Sequence, residues 1–445
     1  MLERYPSLYS YDIFPKVVPV GREVTVTVRV LDPHLMGELP YTVSLYAING
    51  GGEAMVKDLP RTLLPAPQQG FTVTVTLPSE QEYQLHINYE NKTRPRAALP
   101  FYAVEDDLLC RTPLVGDLHA HTFFSDGQQG PAFIAAEYRK NGYDFLSVTD
   151  HRRRAPSLMA IETFEELELP FKLYPGEEVH PHGIRTHIVN FASDNSANEY
   201  ALAAKAQEEW RNTDPTPEWE AEMARIKETL TDLPDGVSAD EVASAMIVCR
   251  IIREGGGLAI LAHPHWVYPL RSVPDQTTRY FFEKGIFDAL ELIGGMRWYE
   301  NHPQVALYHH LTAEGIRIPV VGSSDEHGVL PHDHPAKTVA YFTEERTLVF
   351  AKENSREEII GAIKDLYSTA VLKYAEQYPQ VCGGSYRLYQ YAQFLLLNYF
   401  PLRDELYAAE GRLMLDYAAG VPGAKEKLLR TVQSHAYFEE KYFCR

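Results

Sequence analysis

The residues best able to do chemistry stand in short clusters of imidazole and carboxylate. Asp117-Leu118-His119-Ala120-His121-Thr122 sets two histidines one residue apart, and Ser125-Asp126-Gly127 adds a carboxylate on a turn. Further along come Thr149-Asp150-His151, Gly176-Glu177-Glu178, His187, Leu261-Ala262-His263-Pro264-His265 and Gly322-Ser323-Ser324-Asp325-Glu326-His327. Side chains alternate with period two along a strand, so an H-x-H at a strand end sends both imidazoles to one side, within reach of one ion. Of the 17 histidines, 14 lie between His119 and His334, which concentrates the chemistry in the middle of the chain. The four cysteines, Cys110, Cys249, Cys382 and Cys444, are at least 62 residues apart, which argues against both a disulfide framework and a thiolate metal site. Mixed imidazole and carboxylate donors without thiolate suit Zn, Mn or Fe.

These clusters need elements that converge them. After Leu114, buried apolar strands are expected at Leu114–His119, Phe145–Asp150, His187–Phe191, Gly257–His263, Ala289–Ile293, Ile318–Ser323 and Thr338–Phe342, alternating with helices such as Pro131–Asn141. Nearly every strand ends in a His or a carboxylate, and in parallel α/β barrels the strand C-termini are where active-site side chains meet. Ser238 with Glu241, and Ser355 with Glu358, have the spacing of capping boxes that open helices. Segment 203–256 reads as a helical insertion, with Trp210 and Trp219 in its polar first part. From residue 10 to about 105 the pattern is instead short alternating strands, broken by turns at Asn49-Gly50-Gly51-Gly52 and Pro65-Ala66-Pro67, which predicts an immunoglobulin-like β-sandwich. The resulting division is a β-sandwich at 1–110, an α/β barrel at 111–370 and C-terminal helices at 371–445, packed on the barrel.

Composition narrows the function. At 445 residues, two or three packed units are expected. The net charge of −19 repels nucleic-acid phosphates. No apolar run is long enough to span a bilayer, and Met1–Val20 carries charges and prolines where a signal peptide would be apolar, so a cytoplasmic location is expected, without nucleic-acid or membrane partners. The sandwich offers surface for a homo-oligomer.

D-L-H-A-H-T with S-D-G, then T-D-H, G-x-E, A-H-P and S-D-E-H, in that order, resemble the motifs of the PHP (polymerase and histidinol phosphatase) metal-dependent hydrolases over roughly residues 112–370. The resemblance implies a distorted (β/α)7 barrel whose top face holds two or three divalent ions. It implies one metal on His119, His121, Glu178 and Asp325, and a second on Glu178, His187 and His263, with Glu178 bridging. A third falls to Asp126, His151 and His327; Asp126 stands where some family members carry His. Glu178 rather than Glu177 matches G-x-E, and Glu177 then faces the other side. His265 is a candidate proton donor, while His180, His182, His332 and His334 have no motif support.

Such ions activate water without a protein nucleophile, which points to a phosphoesterase acting on a small, anionic phosphorylated metabolite. Arg152, Arg185 and Arg297 are the candidate clamps on phosphate oxygens, with Arg153 and Arg154 beside the first. The alternative is a carboxylic or carbamic ester hydrolase resembling carbaryl hydrolase, for which Trp266, Trp298 and Tyr299 offer an apolar pocket. A non-catalytic domain like those of bacterial polymerases is a third reading, disfavoured by the intact ligand set.

Overall fold

The computed structural model describes residues 10–32, 41–50, 55–59, 70–89, 97–205, 209–328, 345–373 and 378–444. The expected strand Thr338–Phe342, the turn at Pro65-Ala66-Pro67, Gly51-Gly52, and His332 and His334 lie outside them.

In the first part of the chain the period-two pattern buries one face of each strand. In Glu23–Val30, for example, Val24, Val26 and Val28 are buried while Glu23, Thr25 and Arg29 are exposed. Strands β1 (Tyr11–Phe14), β2 (Val17–Pro19), β3 (Glu23–Val30), β4 (Tyr41–Ala47), β5 (Met55–Leu59), β6 (Gly70–Thr76), β7 (Gln81–Tyr89) and β8 (Ala97–Val104) form two sheets, ordered β1-β3-β6 and β2-β8-β7-β4-β5. Among the described residues every strand pairing in them is antiparallel except β2 with β8. Ile13, Val26, Val28, Leu45, Leu85 and Phe101 belong to one apolar core drawn from both sheets.

The middle of the chain supplies β9 (Thr112–Asp117), β10 (Phe145–Ser147), β11 (Lys172–Tyr174), β12 (Gly176–Val179), β13 (Ile188–Phe191), β14 (Leu258–Leu261), β15 (Ala289–Ile293), β16 (Val320–Gly322), β17 (Glu345–Ala351), β18 (Ser368–Leu372) and β19 (Gln380–Cys382). They are mixed with helices and fall into two sheets, β11-β10-β9-β17-β18-β19 and β12-β13-β14-β15-β16. The architecture is mixed α/β, and among the described residues the strands do not close into a single barrel. Single bridges, Ala120 to Glu326 and His151 to Glu178, connect the strand ends. The sheets also depart from the expected parallel order, since β13 runs antiparallel to both β12 and β14. Only residues 180–187 join β12 to β13, too few for the crossover that a parallel neighbour requires.

The chain divides into two units: residues 1–112 with 390–406 and 430–445, and residues 113–389 with 407–429. The C-terminal helices, which the sequence places as one segment, are thus apportioned between both. No described helix is long and apolar enough to cross a membrane.

Candidate metal centre

Most strands in the second unit are shorter than their sequence pattern, and the chemistry sits just past their ends. β9 stops at Asp117, so His119 and His121 lie beyond the strand, their rings 5.1 Å apart. The backbone turns there because the buried Asp117 carboxylate accepts from His119 N at 3.0 Å and from Ser324 N at 3.1 Å. The H-x-H pair is therefore positioned by a turn rather than by strand alternation. Asp150 secures the next part, accepting from Thr122 N at 2.9 Å, Thr122 Oγ1 at 2.8 Å and Ser125 Oγ at 2.6 Å. His263 and Asp325, beyond the ends of β14 and β16, hold φ of 24° and 49°, and Arg152 holds 59°. Non-glycine residues in this region are costly and cluster at sites where the surrounding structure over-determines them. At Gly295 a Cβ would lie 2.1 Å from Ser324 O, so only glycine permits that close approach beside Asp325.

Within β12, alternation separates the two adjacent acids. Glu177 accepts from Asn190 Nδ2 at 2.9 Å, Ala197 N at 2.6 Å, Ser196 Oγ at 2.6 Å and Asn198 Nδ2 at 3.1 Å. Glu178 turns the other way, into a ring of imidazoles. Its Oε1 lies 2.6 Å from His187 Nδ1 and 3.3 Å from His263 Nε2, and its Oε2 lies 3.5 Å from His119 Nε2, 3.6 Å from His121 Nε2 and against His151 Nδ1. Asp325 Oδ1 is 2.9 Å from His121 Nε2 and 3.2 Å from His119 Nε2. Asp126 lies 3.4 Å from His151 Nε2 and 3.3 Å from His327 Nε2.

Four sets of side chains place three or four donor atoms close enough together for one ion: His121, Asp126, His151 and His327; His119, Glu178 and His263; His119, His121 and Asp325; His151, Glu178 and His180. These differ from the family-implied sets: Glu178 is absent from the set of His119, His121 and Asp325, and His119 takes the place of His187 beside Glu178 and His263. His121 also faces the Asp126 group, and His187 contacts Glu178 without entering any of the four. His180, which has no motif support, joins the cluster with Nε2 2.9 Å from His151 Nδ1. Arg152 Nη2 lies 2.8 Å from His180 Nδ1, and a guanidinium can only donate, so the neutral ring carries its proton on Nε2, facing the cluster.

The donor set fits a cation. His119 Nε2 is buried without a hydrogen-bond partner although it faces Glu178 Oε2 across 3.5 Å. Ligand atoms held at about 2.0–2.2 Å from one ion stand roughly that far apart. Burial would raise the Glu178 carboxyl, but His151, His187 and His119 hold it well below the ordinary value. Burial likewise opposes protonation of His151 and His327, yet Glu178 and Asp126 push His151 up to about 10, and Asp126 and Asp325 push His327 up to about 9. His121, pushed down to about 4 by burial and then by His327 and His151, stays neutral and keeps the lone pair of one ring nitrogen free.

A further carboxylate belongs to the site. Glu291, inside the otherwise apolar β15, sets Oε2 2.9 Å from His119 Nδ1 and accepts from His263 N at 3.1 Å. A charged residue in a fully buried strand was its only signal in the sequence.

The proposed substrate clamps are occupied otherwise. Arg152 donates to His180 O and Trp210 O at 3.2 and 3.1 Å, Arg154 to Ser193 O and Asp194 O, and Arg185 to Leu270 O and Arg271 O at 2.9 and 3.0 Å. Arg297 caps the helix Trp298–Ala313 and reaches Tyr299 OH. His265 is buried with Nε2 3.0 Å from Asp275 Oδ1 and belongs to none of the four sets. His182 pairs with Thr213. Glu241, expected to complete a capping box, sends its carboxylate instead to Arg185 N, Thr186 N and Thr186 Oγ1, bracing the segment that leads to His187.

No known family model matches the chain, and no curated protein does. Among solved structures, it is similar to a two-domain protein from Bacteroides vulgatus described as containing a PHP-like metal-dependent phosphoesterase, at 18% identity and TM-score 0.39, over 59% of this chain and 65% of that one. A protein from Bifidobacterium adolescentis described as a candidate metal-dependent phosphoesterase matches at 18% identity and TM-score 0.32, over 51% of this chain and 92% of that one. An amidohydrolase from Chromobacterium violaceum, with bound sulfate and no metal, matches at 18% and 0.31, over 51% and 91%.

Proposed function

We propose that this chain is a metal-dependent hydrolase of the PHP kind, its second unit a distorted barrel of that family, cleaving the ester of a small phosphorylated metabolite at a centre of two or three divalent ions. The observation that carries the reading is the buried carboxylate Glu178, shared between sets of imidazoles and facing His119 Nε2, a buried nitrogen without a hydrogen-bond partner. Zn, Mn or Fe bound there would supply Lewis-acid activation of water and of an ester oxygen.

The chain's own residues do the rest. His119, His121 and Asp325 form one donor group, and His121, Asp126, His151 and His327 another. Glu291 fixes the His119 ring through Nδ1, leaving Nε2 as the ligand atom. Arg152 sets the His180 tautomer, which aims its N–H at His151 Nδ1 and so takes that nitrogen out of the set of ligand atoms. His187 holds Glu178 through Oε1, while His151 lies against Oε2.

A second reading, cleavage of a neutral carboxylic or carbamic ester, is favoured by one observation: the guanidinium groups of Arg152, Arg154 and Arg185 are directed at backbone carbonyls. Assay of the metal-loaded protein on p-nitrophenyl phosphate and p-nitrophenyl acetate, with Mn and with Zn, separates the two. Turnover of the phosphate alone supports the first reading; turnover of the acetate alone replaces it with the second; turnover of neither ends both.

A further inference from the structure

Beside the cluster the chain exposes aromatic surface on a braced loop. The Trp266 ring lies 6.0 Å from that of His187 and 5.9 Å from that of His263, and Tyr268 stacks on Trp266 at 5.9 Å with 16° between their planes. Tyr268 is 77% exposed and Trp266 39%. Aromatic rings left in water next to a site are an uncompensated cost unless something covers them.

The loop that carries them is tied at several points. Ser272 N donates to Trp266 O at 2.8 Å and Val273 N to Pro264 O at 2.9 Å, closing its base. Tyr268 N donates to Leu270 O at 2.9 Å across its tip. Arg185 grips Leu270 O and Arg271 O from one flank, and Glu300 accepts from Val267 N at 3.1 Å on another. The exposed rings are thus presented by ordered backbone, so a partner meets a surface with little entropy left to lose.

We infer that Trp266 and Tyr268 form a stacking platform for a planar aromatic group on the alcohol side of the ester, and so set the enzyme's preference among substrates. The inference rests on the hydrolase reading for the place of the ester, since His187 and His263 join the platform to Glu178. Offset stacking needs a flat π surface that is open on one side, and the parallel Trp266–Tyr268 pair supplies it. The same geometry assigns Arg185 a positioning role, bracing the loop rather than holding a phosphate.

The test uses the metal-loaded full chain and ligands that differ only in the alcohol side: 2-phenylethyl, 2-(indol-3-yl)ethyl and butyl. Dissociation constants are measured for the three phosphonates by calorimetry, and turnover for the matching phosphates and acetates. The platform predicts aryl phosphonates bound at least about tenfold more tightly than butylphosphonate. Trp266→Ala and Tyr268→Ala should each bring that ratio within about threefold, and Tyr268→Phe should preserve it. Arg185→Ala should weaken the aryl ligands more than the butyl one. A larger gain for the indole than for the phenyl ligand identifies a bicyclic group, the reverse a monocyclic one. Aryl and butyl ligands handled alike, or a preference that survives both alanine changes, would overturn the platform; no binding of any phosphonate, with the aryl preference kept in turnover of the acetates, would overturn the phosphate reading alone. Failure to cleave any of the esters, aryl or butyl, while the aryl binding preference stands would overturn the hydrolase reading and leave the platform in place.

Discussion

Oε2 of Glu291 lies 2.9 Å from Nδ1 of His119, so an acid in the middle of a buried strand holds the ring whose other nitrogen faces Glu178. Such carboxylate–histidine pairs orient a ligand and raise its basicity. Glu291→Gln should therefore lower metal affinity by roughly 10- to 100-fold, with the fold retained. Competition against a chromophoric chelator reads the affinity, and circular dichroism the fold; unchanged affinity would remove Glu291 from the site.

Glu178 and Glu177 are neighbours with opposite duties. Glu178→Gln should abolish activity and reduce the number of ions held, because one carboxylate serves several imidazoles. Glu177→Gln should leave the metal content alone and lower the melting temperature instead, since it disturbs a buried acceptor of four hydrogen bonds at a cost of about 1–3 kcal/mol. Elemental analysis and thermal melts on both variants distinguish these outcomes. Metal loss from the Glu177 variant alone would reverse the assignment.

The Asp126 group shares His121 and His151 with neighbouring sets, but Asp126 and His327 belong to it alone, and it should act as an ion site with its own pH dependence. Asp126→Ala should remove one ion and leave the others bound. In the metal-free chain His151 and His327, at about 10 and about 9, hold protons at pH 7 that an ion must displace. Binding should thus release protons, and affinity should climb as pH rises toward about 9. Calorimetry in buffers of different ionisation enthalpy counts them; a pH-independent affinity between 6 and about 9 would contradict this.

Lys16 offers a test away from the site. Its Nζ is buried without a hydrogen-bond partner, and burial pushes its pKa from 10.5 to about 8 despite the nearby Asp12. Because the folded pKa lies below the unfolded one, the unfolded chain binds more protons between those values, so stability rises as pH climbs through that window. Below about 8 the cost is fully present, at roughly 3 kcal/mol. Lys16→Met should stabilise the first unit at pH 7 by an amount of that order, with the gain fading by about pH 10. Urea unfolding at both pH values measures it; equal gains at both would show that the lysine is not the cause.

Much of the centre could be read from residue order alone, because His and carboxylate at successive strand ends leave a regular trace. What could not be read depends on contacts distant in sequence. His180 enters through Arg152, 28 residues earlier, and no local pattern marks it. β12 is not among the expected strands, because two adjacent acids interrupt the apolar pattern; burial of Glu177 depends on Asn190, Ser196, Ala197 and Asn198, which satisfy it. The arginines looked available because sequence shows charge but not the carbonyls that take it up. In the first unit, alternation identified β3 and β7 plainly, whereas the three-residue β2 is too short to show a period.

The first unit draws on residues 390–406 and 430–445, and within it Lys16 N donates to Tyr442 O at 2.7 Å while Cys444 N donates to Val17 O at 2.9 Å. Synthesis therefore begins this unit and completes it only some 300 residues later, after the second unit's strands have left the ribosome. Until then β2 lacks its last partner, and a nascent chain halted before residue 430 carries an unfinished sheet. A deletion at the C-terminus would be felt at the N-terminus first.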